Sequence, residues 1–141
     1  MIEQDEKLLL MDLCARIPYG VMCEVDYCDD PVVLEGIPNT DTFLFCNGVI
    51  ERYASQIKPY LRKISSITEE EERELNGLLP EVYDFSFRMD ELLELIQTQN
   101  EIPFRYIDWL NRNHFDYRGL IEKELALEAP EGMYNTRTKE N

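Results

Sequence analysis

The segment IPFRYIDWLNRNHFDYRGLIEKELALEA, residues 102–129, contains the only tryptophan and the only histidine of the 141-residue chain. Its apolar residues Phe104, Ile107 and Leu110 recur at the spacing of one helix face, which predicts an amphipathic helix. The asparagines that follow are residue types that helix ends favour. The segment therefore predicts a helix that packs one face against the remainder of the fold.

A second, shorter helix is predicted directly after the first. Asp116 is a residue type that caps helix N-termini, and a helix over residues 117–123 would bury Leu120 and Ile121. An extended segment at residues 125–127 would follow it. Together these elements would hold the C-terminal half of the chain on a sheet formed by earlier residues.

The N-terminal residues predict a helix that leads into a strand. Residues 5–16 follow the helical period, and Pro18 ends that helix. The alternation of apolar and polar residues over 21–27 predicts a half-buried strand with Cys23 and Tyr27 on its apolar face. The Cys23 thiol is therefore expected to be packed in the core and not reactive.

Three further strands complete the predicted sheet. Each is a short apolar run bounded by turn residues, and the runs cover residues 32–37, 42–46 and 49–53. Asn47-Gly48, between the last two runs, is a strong signal for a hairpin turn. Pro59 argues against a central strand, so residues 55–67 are interpreted as an edge strand or an extended connector.

Helices are expected to follow the sheet. Residues 68–71 form a capping box that starts one helix, and apolar residues within 90–99 follow the helical period of another. We therefore expect an α+β fold with a small, mostly antiparallel sheet from about residues 20–62, one N-terminal helix and several C-terminal helices. Residues 1–130 would form a single α+β domain, and residues 131–141 a polar, frayed tail.

The charge of the chain excludes several classes of partner. There are 29 acidic and 14 basic residues, which give a formal net charge of −15 at pH 7. Direct binding to nucleic acid or to anionic lipid is disfavoured, because both are polyanions.

The apolar run at residues 8–11 is far too short for a signal peptide or a membrane span, which predicts a cytoplasmic protein. All four cysteines are then expected to be reduced thiols: Cys14, Cys23, Cys28 and Cys46.

The sequence contains no pattern that is typical of a cofactor or metal site. The cysteine spacings match no CxxC pair, and one histidine is too few for most mixed zinc sites. No glycine-rich phosphate loop, HExxH motif or nucleophile motif is present in the sequence. We therefore predict no cofactor and no metal ligand, and we assign no catalytic residue.

Three blocks of the sequence resemble one family of proteins. The blocks are LCARIPYGV (13–21), IKPYLRKISSITEEE (57–71) and IDWLNRNHFDYRGLIEKELALEAPEGMY (107–134), together roughly a third of the chain. They resemble a family of uncharacterised small proteins common in the genomes and prophages of gut bacteria. The resemblance implies a link to mobile elements but no activity, cofactor or partner. Glu124 departs from the pattern, which implies a glycine there as a helix C-cap.

The leading functional hypothesis is a non-enzymatic intracellular accessory protein of mobile-element type that binds a protein partner. Its candidate interaction surface consists of the rare side chains at the junction of the two predicted C-terminal helices: Trp109, His114, Asp116, Tyr117 and Arg118. No feature of the sequence sets an oligomeric state.

Two other classes of function follow from particular residues. The acidic side chains would form a decoy for DNA that inhibits a nucleic-acid enzyme, provided that they lie in one exposed double row: Asp26, Asp29, Asp30, Glu35, Asp41 and the glutamates of 69–74. Alternatively, His114 would act as the general base of a small enzyme. That reaction requires a concave pocket beside the imidazole.

Overall fold

The computed structural model describes residues 3–37, 42–45, 50–78 and 104–134. The described residues contain three α-helices: α1 (Glu3–Arg16), α2 (Glu69–Asn76) and α3 (Phe104–Arg112). They also contain six strands: β1 (Met22–Val25), β2 (Val32–Gly36), β3 (Thr42–Phe45), β4 (Ile50–Tyr53), β5 (Ile57–Leu61) and β6 (Leu127–Glu128). α1 precedes the sheet, but α2 and α3 lie between β5 and β6 in the chain. The predicted arrangement of several helices after a sheet from residues 20–62 is therefore wrong for the described residues.

The six strands form one mixed sheet in the order β4-β3-β2-β1-β5-β6. The first four neighbouring pairs are antiparallel, and only the β5–β6 pair is parallel. The prediction of an α+β fold with a mostly antiparallel sheet is therefore confirmed. The predicted hairpin turn Asn47-Gly48 lies outside the described residues, although β3 and β4 pair antiparallel on either side of it.

The sheet is strongly curved. Four inter-strand steps separate β4 from β5, about 19 Å in a flat sheet, but only the 3₁₀ turn Ala54–Gln56 connects them. A chain of that length spans at most about 14 Å. The sheet therefore curls until the end of β4 approaches the end of β1. A hydrogen bond of 3.0 Å from Arg52 Nε to the Asp26 carbonyl joins these two ends.

The main core lies between α1 and one face of this curved sheet. Inward-facing residues of the strands alternate with exposed ones, as the burial of Cys23 and Val25 around the exposed Glu24 illustrates. The buried residues of this core are Leu9, Leu13, Val21, Cys23, Val25, Leu34, Phe43, Ile57, Leu61, Leu120, Leu125 and Ala126. The complete burial of Cys23 confirms the prediction of a packed thiol. Burial also raises the pKa of this thiol, which disfavours the reactive thiolate.

A second core lies between α2 and α3. It consists of Leu75, Tyr106, Trp109, Leu110, Phe115 and Tyr117. The capping box that starts α2 is confirmed, since the Thr68 hydroxyl accepts from the Glu71 backbone and the Glu71 carboxylate accepts from the Thr68 backbone. Ile107, predicted at the centre of the buried face of α3, is only half-buried. The buried face is rotated towards Tyr106 and Trp109, because their large rings fill the space beside α2.

Strand β5 corrects the interpretation of the proline-containing segment. It lies between β1 and β6, with Pro59 opposite Cys23, and is therefore not an edge strand. The Asp26 N–H bonds to the Gln56 carbonyl, which sets the hydrogen-bonding register between β1 and β5. In an antiparallel pair only every second residue bonds to the facing strand, and in this register Pro59 occupies a non-bonded position. On the other side of β5, β6 pairs only with Tyr60 and Leu61. The missing N–H of Pro59 thus costs no ladder bond, which sequence alone did not reveal.

Strand β1 ends earlier than the alternation of its residues predicts. The Cys28 N–H bonds to the Val25 carbonyl at 3.3 Å and closes a turn. Tyr27 occupies this turn with φ +68° and is 91% exposed, so its expected place on the apolar face is wrong. The alternation predicted a strand correctly but not the residue at which the chain turns.

The residues after α3 do not form the predicted second helix. Residues 119–124 make a series of turns, although Asp116 does accept hydrogen bonds from the Leu120 and Ile121 N–H groups at 2.9 Å. The turns end in a Schellman motif, in which Leu125 N–H bonds to the Leu120 carbonyl and Glu124 N–H to the Ile121 carbonyl. Glu124 has φ +61°, the left-handed conformation for which glycine is favoured.

Residues 131–134, predicted as the start of a frayed tail, are attached to the sheet, and the remainder of the predicted tail lies outside the described residues. The Tyr134 hydroxyl accepts from the Met22 N–H at 2.9 Å and donates to the Tyr60 carbonyl at 2.7 Å, which joins β1 to β5. Residues 131–134 are consequently part of the fold. The helix predicted at residues 90–99 lies outside the described residues.

Replacing Glu124 with glycine is expected to stabilise the protein by about 1 kcal/mol, because glycine adopts the left-handed conformation without steric cost. Urea denaturation measures the change in the free energy of unfolding. Glu124→Gln is the control, since it removes the same charge but keeps the side chain that opposes a positive φ. Equal stabilities of the two variants would show that strain at residue 124 contributes nothing.

Candidate functional site

The predicted site residues begin at the end of α3, where the backbone turns sharply. His114 has φ +62°, its N–H bonds to the Asn111 carbonyl, and the Phe115 N–H bonds to the Leu110 carbonyl. These bonds form a Schellman motif with His114 in the left-handed position. His114 thus ends α3, and this turn directs the following residues towards β5.

The backbone of Phe115 is then held beside the end of β5. Arg62 N–H bonds to the His114 carbonyl at 2.7 Å, and Asp116 N–H bonds to the Arg62 carbonyl at 2.9 Å. The Phe115 ring stacks on Trp109 with 5.7 Å between centroids, and the Arg62 guanidinium lies 4.1 Å from the centre of the ring. Phe115 therefore joins α3 to the sheet through both its backbone and its side chain.

A fully buried arginine from α1 contacts the same peptide. Arg16 and Asp12 are both 0% exposed and form a two-pronged ion pair, with N–O distances of 2.9 and 3.1 Å. Arg16 Nη2, the same nitrogen that binds Asp12 Oδ1, also donates to the Phe115 carbonyl at 2.6 Å. Because a buried guanidinium requires acceptors, this contact fixes α1 relative to the chain that follows α3.

Tyr117 and Arg118 complete the buried cluster around Arg16. The guanidinium carbons of Arg16 and Arg118 lie 5.6 and 4.8 Å from the Tyr117 ring centre. Arg118 Nε is 3.4 Å from Asp12 Oδ1, so two cations share one carboxylate. The Tyr117 hydroxyl donates to the Asn111 side chain at 2.9 Å. We call Asp12, Arg16, Tyr117 and Arg118 the Arg16 cluster.

A second ion pair connects β5 to α2. Arg62 donates to both oxygens of Glu71 at 2.8 and 2.9 Å. Burial opposes ionisation of Glu71, but the hydrogen bonds from Arg62 and from the Thr68 backbone outweigh it and hold its pKa below the ordinary value. Arg62 is therefore paired within the molecule, and its neighbour Lys63 contacts Glu128 at 3.5 Å.

The imidazole of His114 is enclosed and uncharged at neutral pH. It stacks on the Tyr134 ring with 3.9 Å between centroids. Burial, followed by the nearby positive charges of Arg16 and Arg62, lowers its pKa to about 3. Nδ1 has no hydrogen-bond partner among the described residues. A group with this pKa is a poor general base near pH 7, because Brønsted efficiency favours a pKa close to the working pH.

The structure brings together all five residues predicted for the interaction surface, but it buries most of them. Trp109, His114, Asp116 and Tyr117 are between 1% and 8% exposed, and the Arg118 side chain is 17% exposed. The Trp109 indole N–H donates to Glu74 at 2.6 Å and so has no free polar edge. These side chains join α1, α3 and β5. The proposed interaction role of these side chains stays a prediction. A partner could reach the four buried ones only if the fold rearranged, whereas Arg118 is already partly exposed.

Two concave regions lie near this segment, on either side of residues 63–66. One of about 360 Å³ includes Arg62, Lys63 and Tyr134 in its lining, and the other of about 630 Å³ includes Asp116 and Ile121. His114 lines neither of them. An enzyme that uses His114 requires a pocket beside the imidazole, so the placement of His114 outside both regions counts against that hypothesis.

The described acidic residues of the decoy hypothesis lie at separate places in the fold, and Asp41 lies outside the described residues. The Asp26 N–H bonds to the Gln56 carbonyl at the start of β5, and the exposed Asp29 and Asp30 follow Asp26 closely in the chain. The glutamates of α2 lie beyond the other end of β5, where Arg62 binds Glu71. Six residues of extended chain, about 20 Å, separate these two ends of β5. This separation counts against a continuous decoy for DNA.

The exposed aromatic residue at the end of β1 was missed by sequence reasoning. Tyr27 is the most exposed large apolar side chain among the described residues, at 91%, and Tyr53 at the end of β4 is 58% exposed. The Arg52 guanidinium lies 5.9 Å from the Tyr27 ring centre and holds the turn through the Asp26 carbonyl. We call Asp26, Tyr27, Arg52 and the neighbouring Asp29 and Asp30 the Tyr27 patch. The sequence signal that could have identified this residue is a tyrosine within an aspartate-rich turn, DYCDD at residues 26–30.

Comparisons of the chain with protein-family models, with curated proteins and with solved structures found no match. Within the described residues, no three or more His, Cys, Asp or Glu side chains are grouped so that they could hold a metal ion. None of the described helices is both long enough and apolar enough to cross a membrane.

Replacing Asp12 with alanine is expected to destabilise the protein by about 3–5 kcal/mol, because Arg16 is left buried without its counter-ion. Lys7→Ala is the matched control: Lys7 and Glu3 form an ion pair of the same spacing on α1, but both side chains are exposed. The control is expected to cost less than about 0.5 kcal/mol. Chemical denaturation of both variants measures the difference, and similar losses would contradict a special role for the buried pair.

Stability is expected to fall as the pH falls from about 6.5 towards 5. The unfolded chain binds a proton at His114 near its ordinary pKa, whereas the folded chain, with a pKa of about 3, does not. Acidification therefore favours the unfolded state, by up to about 1.4 kcal/mol per pH unit below 6.5. His114→Asn should remove this slope, because asparagine does not titrate and tolerates the left-handed conformation. Thermal unfolding at several pH values measures it, and unchanged slopes would refute the assignment.

Proposed function

We propose that this protein is a non-enzymatic intracellular accessory protein that binds a protein partner through the Tyr27 patch. The observation that carries the proposal is the contrast between two sets of residues. The rare side chains of the C-terminal segment are enclosed by the fold, whereas Tyr27 contributes little to it and projects into water.

The composition of the Tyr27 patch supports binding of a protein. Tyrosine and arginine are enriched among the residues that dominate the energy of protein interfaces. Arg52 holds the Tyr27 ring and the Asp26 carbonyl in place, so the aromatic side chain is partly ordered before any partner arrives. Preordering of this kind lowers the entropic cost of association.

The state of the enclosed residues supports a function without catalysis. His114 is buried with a lowered pKa, and the carboxylate of Asp116 accepts two backbone N–H groups. The Cys23 thiol is buried, and its pKa is raised. These groups stabilise the fold, and none of them combines access to substrate with activation by a neighbouring base.

Two further parts of the proposal rest on chemistry and on resemblance. Cys14, Cys23 and Cys28 are free thiols, which suits a reducing compartment such as the cytoplasm. The association with mobile elements rests on the three sequence blocks described above. Those blocks contribute Arg16, Arg62 and Phe115, which meet at one point of the fold.

Photo-crosslinking in the native host tests the proposal. A benzophenone amino acid replaces Tyr27 in one strain and Glu70, an exposed residue of α2, in a control strain. We expect a protein adduct after irradiation at position 27 that is absent or much weaker at position 70. Mass spectrometry of the adduct identifies the partner.

The outcomes separate binding at the patch from binding elsewhere. An adduct that forms equally at both positions would indicate nonspecific contact and would contradict the proposal. The absence of any protein adduct at position 27, with a folded and expressed variant, would also contradict it. Circular dichroism of the purified variants verifies that both retain the fold.

A further inference from the structure

We infer that the partner presents a cationic surface around a pocket that receives the ring of Tyr27. This inference rests on the proposed function and adds the chemistry of the partner. Two features of the Tyr27 patch carry it: the exposure of the ring and the sign of the surrounding charge.

The Tyr27 ring is suited to insertion into a pocket. It is 91% exposed, and its contact with Arg52 leaves the remainder of the ring in water. An aromatic side chain buries a large apolar area when it enters a pocket, and its hydroxyl can keep a polar partner there. A flat partner surface would leave much of this area hydrated. The shape of the side chain therefore favours a concave acceptor.

The charge around the ring is negative. Asp26, Asp29 and Asp30 are all exposed, and the sequence between Arg16 and Arg52 contains neither lysine nor arginine. The Arg52 guanidinium, which donates to the carbonyls of Asp26 and Glu51, offsets only one of these three carboxylates, so the patch stays net negative. The groups that remain for a partner are carboxylates, which favour lysine and arginine on the opposing surface.

The same charges exclude other occupants. Nucleic acid would bring phosphates next to the three aspartates, which is unfavourable. A second copy of the patch would bring the same three aspartates and would be repelled for the same reason. A net charge of −15 extends this preference beyond the contact region and accelerates encounter with a cationic protein.

Peptide selection tests the inference with the complete chain. Random 12-residue peptides displayed on phage are selected on the immobilised protein at low salt, with counterselection on the Tyr27→Ser variant. We expect the enriched peptides to carry net positive charge together with apolar residues. The dissociation constant of a synthetic representative should rise at least about tenfold with Tyr27→Ser.

A pair of variants with equal charge tests the role of the aspartates. Asp29→Asn combined with Asp30→Asn should weaken the peptide about fivefold at low salt, and the effect should shrink at high salt. Glu69→Gln combined with Glu70→Gln removes the same charge from exposed positions of α2 and should leave the dissociation constant unchanged. Equal effects of both pairs would overturn the inference, because they would indicate attraction by net charge alone.

The selection also distinguishes this inference from the proposed function. Neutral or acidic peptides that still depend on Tyr27 would overturn the cationic partner and leave the proposed interaction protein intact. A selection without any Tyr27-dependent peptide would overturn the inference of a receiving pocket. Failure of the proposed function itself is detected separately, by the absence of a crosslinked protein at position 27.

Discussion

The buried guanidinium of Arg16 is the interaction on which the arrangement of this fold depends. Removing a guanidinium from water costs several kcal/mol, which only acceptors in fixed positions can offset. Asp12 supplies two of them from the same helix, and the Phe115 carbonyl supplies the third from the far end of the sequence. Arg62 holds the same peptide from the other side. The helix before the sheet and the chain after α3 are thereby fixed to each other.

This constraint changes the meaning of the rare residues. A single tryptophan and a single histidine in one segment suggest a functional surface, but their side chains fill the space around Phe115. His114 ends α3 in a left-handed conformation and stacks on Tyr134, whose hydroxyl joins two strands. The tryptophan and the histidine are therefore explained by dense packing where α1, α3 and β5 meet. Tyr27 is exposed and contributes little to the fold, so it is the better candidate for a functional residue.

The accuracy of sequence reasoning differed between local and distant features. The start of α2 and the alternation in β1 depend on neighbouring residues, so the capping box and the burial of Cys23 could be predicted. The place of β5 could not, because an internal proline is tolerated only through the particular register of β1 and β6. Asp116 was recognised as a cap, but its neighbours form turns and no regular helix. The glycine expected at residue 124 marked a left-handed position correctly.

The α+β class, the mostly antiparallel sheet, the end of α1 and the start of α2 could be predicted from the sequence. These features follow from periodicity, capping residues and turn residues, each of which acts over a few positions. The accessibility of individual side chains depends instead on how the elements pack. Tyr27 is exposed because β1 ends in the turn that the Cys28 N–H closes. The enclosure of His114 results from contacts between residues roughly a hundred positions apart, as between Arg16 and Phe115. Such contacts leave no periodic signal, because they depend on how the completed elements pack.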